Sequence, residues 1–236
     1  MAGTRTKKQP VVDEGADPTL PEWKQQSIER SLQAARGRAK ERTDRFVAAT
    51  LQLMEQQGGT EFTVQDVVDR SHMSIRTFYN FFASKDDLLV AVYETILVEE
   101  VLPRLRTRCE AKRDPIDRVR SYIDAMYELT AEPGPIYRAL TTYRNRLAET
   151  RPDDLERAFR PQVMLVEELL QGAVDAGRLK SALSTETLAK LLHQMVLAEI
   201  NARILGSREA LSVSADELWH FCACGIGLRP ADIKRR

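Results

Sequence analysis

The 236-residue sequence contains little of what marks several other classes of protein. Aromatic residues make up 6% of it, and its 11 glycines and 10 prolines gather in short breaks, which suits a string of helices better than a β-sandwich. No apolar run approaches the roughly 20 residues of a membrane-spanning helix, and the polar, basic residues 1–10 lack the apolar core of a secretory signal. These absences predict an all-α protein in the cytoplasm, with no membrane partner.

Reactive-site motifs are missing as well. The sequence has three cysteines and three histidines: Cys109, Cys222, Cys224, His72, His193 and His220. An odd number of cysteines suits a reducing compartment rather than a disulfide framework, and the histidines fit no zinc-binding spacing. No phosphate-binding glycine loop or nucleophile motif occurs. The sequence therefore predicts no metal, no cofactor and no enzyme activity.

The charges balance overall but are unevenly placed. There are 35 basic and 35 acidic residues, so the net charge does not point to nucleic acid. Between residues 30 and 45, however, six basic residues face only two acidic ones. For DNA binding the distribution matters more than the sum, although a charge run is usually a solvated helix face.

Helix-start and helix-stop signals divide the chain. Residues 63–66, 84–87 and 214–217 each fit a capping box, in which an N-cap hydroxyl and a carboxylate three residues later bind each other's backbone amides. Gly37 is expected to break or bend the first helix, and Pro103 and Pro161 to end or kink later ones. The predicted helices cover 21–36, 38–57, 64–71, 75–82, 85–97, 116–130, 136–149, 153–176 and 184–205, and a last one follows Ser214.

Two short helices joined by a tight turn, after a longer helix, predict the three-helix unit that reads DNA. The second short helix would lie in the major groove, so its outer face needs small, polar or basic side chains. That face carries Ser74, Arg76, Thr77 and Asn80, and the inner face carries Phe78, Phe81 and Phe82. Arg76 suits either a guanine edge or a phosphate, and the sequence does not choose between them.

The stretch 63–89 resembles the helix-turn-helix signature of the TetR-type transcriptional regulators. The marks are Thr63 opening one helix, Ser74 capping the next, and then Thr77-Phe78-Tyr79, Phe82, Ser84-Lys85 and Leu88-Leu89. The resemblance covers about residues 40–93 and departs at two positions. Val68 stands where the family usually has Ala, and His72 where it has Gly. A residue other than Gly in the left-handed conformation of that turn costs roughly 1 kcal/mol, although His tolerates it better than most.

The resemblance implies a role for each DNA-binding residue. Thr63, Tyr79 and Lys85 would contact phosphates, with Lys85 at the positive end of a helix. Gln65, Ile75, Arg76 and Thr77 would face the bases. Ser74 and Asn80 complete the predicted set.

The helices after residue 88 are expected to form a domain that binds a small effector. From the resemblance, the residues predicted to line its pocket are Tyr93, Leu97, Tyr122, Met126, Tyr137, Tyr143, Phe159, Met164 and His193. Ordinary core packing is the alternative for all of them. Arg138, Arg144 and Arg146 would either meet an anionic effector such as an acyl-CoA or remain surface charges.

The last two helices are apolar over so wide an arc that they must be buried on more than one side. The resemblance implies that they pair with their twofold mates in a homodimer. The residues predicted for that interface are Leu188, Leu192, Met195, Val196, Ile200, Leu218, Phe221, Cys222 and Ile226.

Three regions are predicted: a disordered tail with an extra N-terminal helix (1–36), a helix-turn-helix DNA-binding domain (37–88), and an effector-binding and dimerisation domain (89–236). The extra helix either adds basic contacts to the minor groove or backbone of DNA, or packs on the DNA-binding domain or a neighbouring subunit. Trp23, Ile28 and Leu32 would make the packing contacts.

Together these features predict a homodimeric repressor that binds double-stranded DNA at a palindromic operator. A small, hydrophobic effector would release it, with the helix from Ser84 as the lever. Activation instead of repression stays open. Two other classes are alternatives: a constitutive DNA-binding protein with a packed C-terminal core, and a helical enzyme, which would need clustered titratable residues in a pocket.

Overall fold

The structure is a computed structural model that describes residues 20–129, 131–207 and 212–228, and this part of the chain contains helices and no strands. The expected all-α fold is confirmed. The α-helices in chain order are α1 (Glu22–Gln57), α2 (Val64–Ser71), α3 (Ile75–Phe81), α4 (Lys85–Thr95), α5 (Leu102–Glu110), α6 (Pro115–Glu128), α7 (Pro135–Thr150), α8 (Pro152–Asp175), α9 (Thr185–Ile204) and α10 (Ala215–Gly225). A π-helical segment, Ile96–Val101, joins α4 to α5.

One helix, α1, replaces the first two predicted helices, so the break predicted at Gly37 is wrong. A glycine inside a helix costs only about 1 kcal/mol relative to alanine. The neighbouring residues 34–41 are Ala, Arg, Lys and Glu, which are all strong helix formers. The predicted tail before α1 lies almost wholly outside the described residues.

The chain divides into two compact units between Arg45 and Phe46. In the first unit, the described residues belong mainly to α1, and Trp23, Ile28 and Leu32 expose their side chains. The second unit contains the end of α1 and every later helix that the structure describes.

Within the second unit, three phenylalanines join the end of α1 to α3 and to the residue that follows it. Phe46 of α1 meets the rings of Phe78 and Phe82 edge to face, at centroid distances of 5.5 and 6.0 Å. All three side chains are buried. Such aromatic pairs add roughly 0.5–1.5 kcal/mol each beyond the burial of their area, so the rings fix how α3 is held against α1.

Two of the three predicted capping boxes are confirmed, at Thr63–Asp66 and Ser214–Glu217. At the start of α4 only one half forms: the Ser84 hydroxyl accepts from the Asp87 amide at 3.1 Å. The Asp87 carboxylate instead accepts from Arg151 at 2.6 Å. The third carboxylate therefore ties α4 to the start of α8.

Both prolines sit inside helical segments. The chain changes from α to π geometry at Ile96, and Pro103 follows as the second residue of α5. The Leu102 amide donates to the Leu97 carbonyl, which is an i to i−5 bond, and π turns of this kind commonly accommodate a local irregularity in a helix. Helix α8 continues through Pro161.

Helix α8 is the centre of the C-terminal half, where it packs against α4, α5, α6, α7 and α9. Its buried residues include Phe159, Gln162, Leu165 and Val166. Gln162 is the exception among these, because it is a polar side chain in an otherwise apolar core.

Candidate DNA-reading face and effector site

The turn between α2 and α3 is built as the sequence predicts. His72 ends α2 in the left-handed conformation, with φ 54° and ψ 36°. The Met73 amide donates to the Val68 carbonyl at 3.3 Å, and Ser74 then caps α3. His72 therefore adopts the left-handed conformation, although the TetR-type signature usually has Gly at this position.

The outer face of α3 is exposed and polar. The Ser74 hydroxyl accepts from the Thr77 amide at 3.1 Å and lies 2.8 Å from the Thr77 hydroxyl. The residues of α3 that are exposed to solvent are Ile75, Arg76, Tyr79 and Asn80. Phe78, on the opposite side, is fully buried. This alternation presents one guanidinium, one phenol and one amide on a helix short enough to enter a major groove.

The predicted phosphate contacts differ in how their groups are placed. The Tyr79 hydroxyl has no hydrogen-bond partner in the described part of the chain and faces solvent. The Thr63 hydroxyl donates to the Asp66 carboxylate at 2.7 Å. This bond and the one from the Thr63 amide lower the pKa of Asp66. Gln65, which is predicted to face the bases, donates to the Asp69 carboxylate at 2.7 Å.

Lys85 is turned towards the protein. Its ammonium donates to the carbonyls of Thr60 and Phe62 at 2.8 and 3.0 Å and lies 5.4 Å from the centre of the Phe62 ring. An ammonium has three donors, so one remains for a phosphate, and that contact stays a prediction. What the structure shows for Lys85 is that it holds the loop before α2.

In the C-terminal half, the structure brings four predicted pocket residues into one buried cluster. The Tyr122 hydroxyl lies 2.7 Å from Nδ1 of His193. The Phe159 ring lies 5.3 Å from the His193 ring and 5.7 Å from the Tyr93 ring, edge to face with the latter. Burial raises the pKa of both tyrosines, which keeps their hydroxyls protonated.

Polar atoms of His193 in this cluster, and of one side chain each on α7 and α8, lack a hydrogen-bond partner. They are Nε2 of His193, both amide atoms of Gln162 and Nε of Arg144. The side chain of Gln162 is 1% exposed and that of His193 is 3% exposed. The guanidinium of Arg144 lies 5.9 Å from the centre of the Phe159 ring. Nearly all buried polar side chains in proteins are paired, so this group is unusual.

The other predicted pocket residues differ in how deeply they are buried. Met126 and Tyr143 are buried, Leu97 and Tyr137 are partly buried, and Met164 is half exposed on the outer side of α8. The Tyr143 hydroxyl donates to the Asp86 carbonyl at 3.3 Å, and the Tyr137 hydroxyl is buried without a partner. Because it faces outward, Met164 is not part of this buried group.

Gln162 is not among the residues predicted from the sequence, and for Arg144 the sequence predicts either an effector contact or a surface charge. A polar residue within the apolar face of a long helix is the signal that identifies Gln162. A groove of about 560 Å³ also lies between the end of α8 and the start of α9. None of the predicted pocket residues lines this groove.

The predicted dimer residues separate into two sets. Seven of them are already buried within one chain, so they cannot offer surface to a second one: Leu188, Leu192, Val196, Ile200, Leu218, Cys222 and Ile226. Only Met195 and Phe221 are exposed, at 44% and 63%. Leu191, four residues before Met195 and so on the same face of α9, is 55% exposed.

Two further predictions concern absences. None of the described helices is long and apolar enough to cross a membrane. Within the same residues, no three His, Cys, Asp or Glu side chains are grouped as a metal site would require.

Comparison with known proteins supports the reading of the N-terminal half. Residues 46–92 match the family model described as bacterial regulatory proteins, tetR family. The chain is 30% identical over 95 residues to the HTH-type transcriptional regulator BetI of Paraburkholderia phymatum, a match that covers 40% of this chain and 48% of the relative. It is 28% identical over 102 residues to BetI of Stenotrophomonas maltophilia, covering 43% and 52%. The chain thus spans about half the length of these relatives.

Solved structures share the fold over most of the chain. RolR in complex with resorcinol superposes with a TM-score of 0.65 and 16% identity, covering 84% of this chain and 93% of that one. FadR of Thermus thermophilus in complex with lauroyl-CoA superposes with a TM-score of 0.60 and 18% identity, covering 82% and 100%. At these identities the likeness concerns the fold.

Proposed function

Since this chain belongs to the TetR family of bacterial regulatory proteins, we propose that it is a homodimeric transcriptional repressor. It binds a palindromic operator through α3 and releases it when a small molecule binds in the C-terminal half. The observation that carries this proposal is the exposed outer face of α3, which is held by the buried phenylalanines behind it.

The DNA-binding step follows from that face. Arg76 and Asn80 are one turn apart and exposed, and they have the donors that read guanine and adenine edges in the major groove. The free hydroxyl of Tyr79 suits a phosphate oxygen. Contacts of the two kinds have different effects, since base contacts set the sequence preference and phosphate contacts set the position.

The effector step is supported by the unpaired polar atoms of Gln162, His193 and Arg144. A constitutive DNA-binding protein needs only a packed core, and such a core gains nothing from buried polar groups without partners. A ligand that pairs with them would remove their desolvation cost. The helical-enzyme alternative has no comparable support.

Contacts at the first turn of α4 support a route from the proposed effector site to the DNA-binding helices. Arg146 donates to the Asp86 carboxylate at 3.1 Å, and Arg151 reaches Asp87. Tyr143, on α7 next to Arg144, donates to the backbone of Asp86. A shift of α7 on ligand binding would therefore move the N-terminus of α4, which directly follows the DNA-reading helix. Such a coupling acts by favouring one of two conformations.

The dimer is supported by large apolar side chains that stay exposed on the last two described helices, Leu191 and Met195 on α9 and Phe221 on α10. Association with a second copy would bury them. Twofold symmetry would place two copies of α3 in successive major grooves and would match a palindrome.

Selection of bound duplexes from a random-sequence pool tests this proposal. The full chain should enrich sequences with twofold symmetry and half-sites about one helical turn apart. A pool that stays random after several rounds, at a salt concentration low enough to permit electrostatic binding, would contradict sequence-specific binding.

A further inference from the structure

The chemistry of the unpaired groups identifies the class of ligand. We propose that the effector is a small aromatic carboxylate, held between the Phe159 ring, the Arg144 guanidinium, the Gln162 amide and Nε2 of His193. This inference rests on the proposed function, because it names the ligand of the same C-terminal site.

The groups converge on Phe159. The Arg144 guanidinium and the His193 ring both lie within 6 Å of its centroid, and Gln162 follows three residues later on α8, hence on the same face. The positive charge of Arg144 also contributes to lowering the pKa of His193, after burial, which is the larger cause. Arg144, His193 and Phe159 therefore meet although they come from three helices, and Gln162 lies one turn along α8 from Phe159.

The hydrogen-bond inventory shows what the ligand must offer. The Tyr122 hydroxyl is fully buried and bonds only to Nδ1 of His193. Because this hydroxyl has no other acceptor in the described residues, it donates to Nδ1. The neutral imidazole then carries its proton on Nε2. His193 Nε2, Gln162 Nε2 and Arg144 Nε are thus three donors without acceptors, against one unpaired acceptor, Gln162 Oε1.

The positive charge of Arg144 favours an anionic acceptor group on the ligand. Within the described residues no carboxylate pairs with Arg144, whereas Arg146 of α7 and Arg157 of α8 each pair with one. A carboxylate supplies two oxygens and the missing negative charge, and arginine binds this group in a planar, bidentate manner. The single acceptor, Gln162 Oε1, suits a hydroxyl on the same ligand.

The aromatic side chains next to these polar groups indicate the chemistry of the remainder of the ligand. Phe159 and Tyr93 provide ring faces and edges at distances typical of aromatic packing. An aromatic ring on the ligand can make contacts of the same kind with them, which a long acyl chain cannot. Benzoate and 4-hydroxybenzoate are therefore the probes of choice. Benzamide is the neutral control of the same shape, and resorcinol is a phenol without a carboxylate.

Calorimetric titration of the full chain tests this assignment. We expect benzoate or 4-hydroxybenzoate to bind at least tenfold more tightly than benzamide and resorcinol. Arg144→Gln should weaken carboxylate binding at least tenfold. Arg160 is an exposed arginine on α8. Arg160→Gln removes the same charge away from the proposed site and should leave binding unchanged.

The variant Gln162→Leu tests whether the Gln162 amide contacts the ligand or stabilises the protein. Removing a buried amide without partners should raise the melting temperature of the free protein while abolishing carboxylate binding. A fall in melting temperature would show that the amide is satisfied within the protein, and would overturn its role here.

Resorcinol binding as tightly as the carboxylates, unaffected by Arg144→Gln, would overturn the carboxylate class while leaving ligand control intact. A failure of all four probes to bind would also overturn it. Neither result bears on DNA binding, which is measured separately on the ligand-free protein. The two proposals therefore fail independently.

Discussion

The imidazole of His193 is held neutral inside the C-terminal half, and this makes the stability of the protein depend on pH. Burial, followed by the charge of Arg144, lowers its pKa from 6.5 to about 4. The unfolded chain takes up the proton near pH 6.5, so this contribution to stability is full above that pH and is lost as the pH falls towards 4. Between pH 7 and pH 5 the loss is about 2 kcal/mol.

Urea unfolding at a series of pH values measures this effect. The wild-type protein should lose stability over that range with a slope that His193→Gln lacks. His220→Gln, at an exposed position, should retain the wild-type slope. Parallel pH curves for the wild type and His193→Gln would show that the imidazole is not held neutral.

A second residue-scale effect concerns the turn of the DNA-binding domain. His72 has positive φ without being glycine, and the left-handed region costs a side chain roughly 1 kcal/mol. His72→Gly relieves that strain and should change the unfolding free energy by about 0 to +1 kcal/mol, since glycine also loses more backbone entropy on folding. His72→Val, a β-branched residue in the same conformation, should lower it by more than 1 kcal/mol. Denaturant unfolding of both variants checks the sign.

At the scale of elements, two helices offer a matched test of what the start of α3 does. Ser74 caps α3 and Ser184 caps α9 with the same geometry: each hydroxyl accepts from an amide three residues on and contacts a threonine hydroxyl. Replacing either serine by alanine should cost about 1 kcal/mol of stability. Only Ser74→Ala should also weaken DNA binding, because α3 is the helix that we propose to read DNA.

Thermal or urea unfolding gives the first quantity, and fluorescence anisotropy with a selected duplex gives the second. Equal losses of DNA affinity in Ser74→Ala and Ser184→Ala would mean that the effect comes from global stability. In that case α3 would have no special part in the contact.

Local sequence signals predict some features of these helices and miss others. The caps at Thr63 and Ser74 and the left-handed turn at His72 depend on residues within a few positions of one another, so the sequence predicted them. The break at Gly37 did not occur, because strong helix formers on both sides outweigh one glycine. The half-formed box at Ser84 was also unpredictable locally, since Asp87 pairs with Arg151, 64 residues away.

The same limit applies to the effector site and the dimer face. The sequence shows a wide apolar arc on α9 but not which side the chain itself covers. In the structure Leu188 and Leu192 face inward, while Leu191 and Met195 face outward. The meeting of Arg144 and His193 at Phe159 likewise depends on how α7, α8 and α9 pack, and no spacing along the chain encodes it.

For the whole molecule, the exposed face of α9 and α10 predicts the oligomeric state. Phe221→Asp combined with Leu191→Asp should convert a dimer to a monomer in light scattering coupled to gel filtration, because the charges cannot be buried without partners. Leu183→Asp, at another exposed leucine, should remain dimeric. A monomer that binds a full palindrome as tightly as the wild type would contradict the twofold arrangement.

The most direct measurement is an anisotropy titration of a selected palindromic duplex and of a shuffled duplex of the same composition. We expect the wild type and Arg160→Ala to prefer the palindrome by at least 1,000-fold, the low end of the specificity of such proteins. Arg76→Ala should lose roughly 10- to 100-fold in affinity for it, the value of one base contact. Equal affinity for both duplexes, or an Arg76→Ala variant indistinguishable from Arg160→Ala, would contradict the claim that α3 reads DNA.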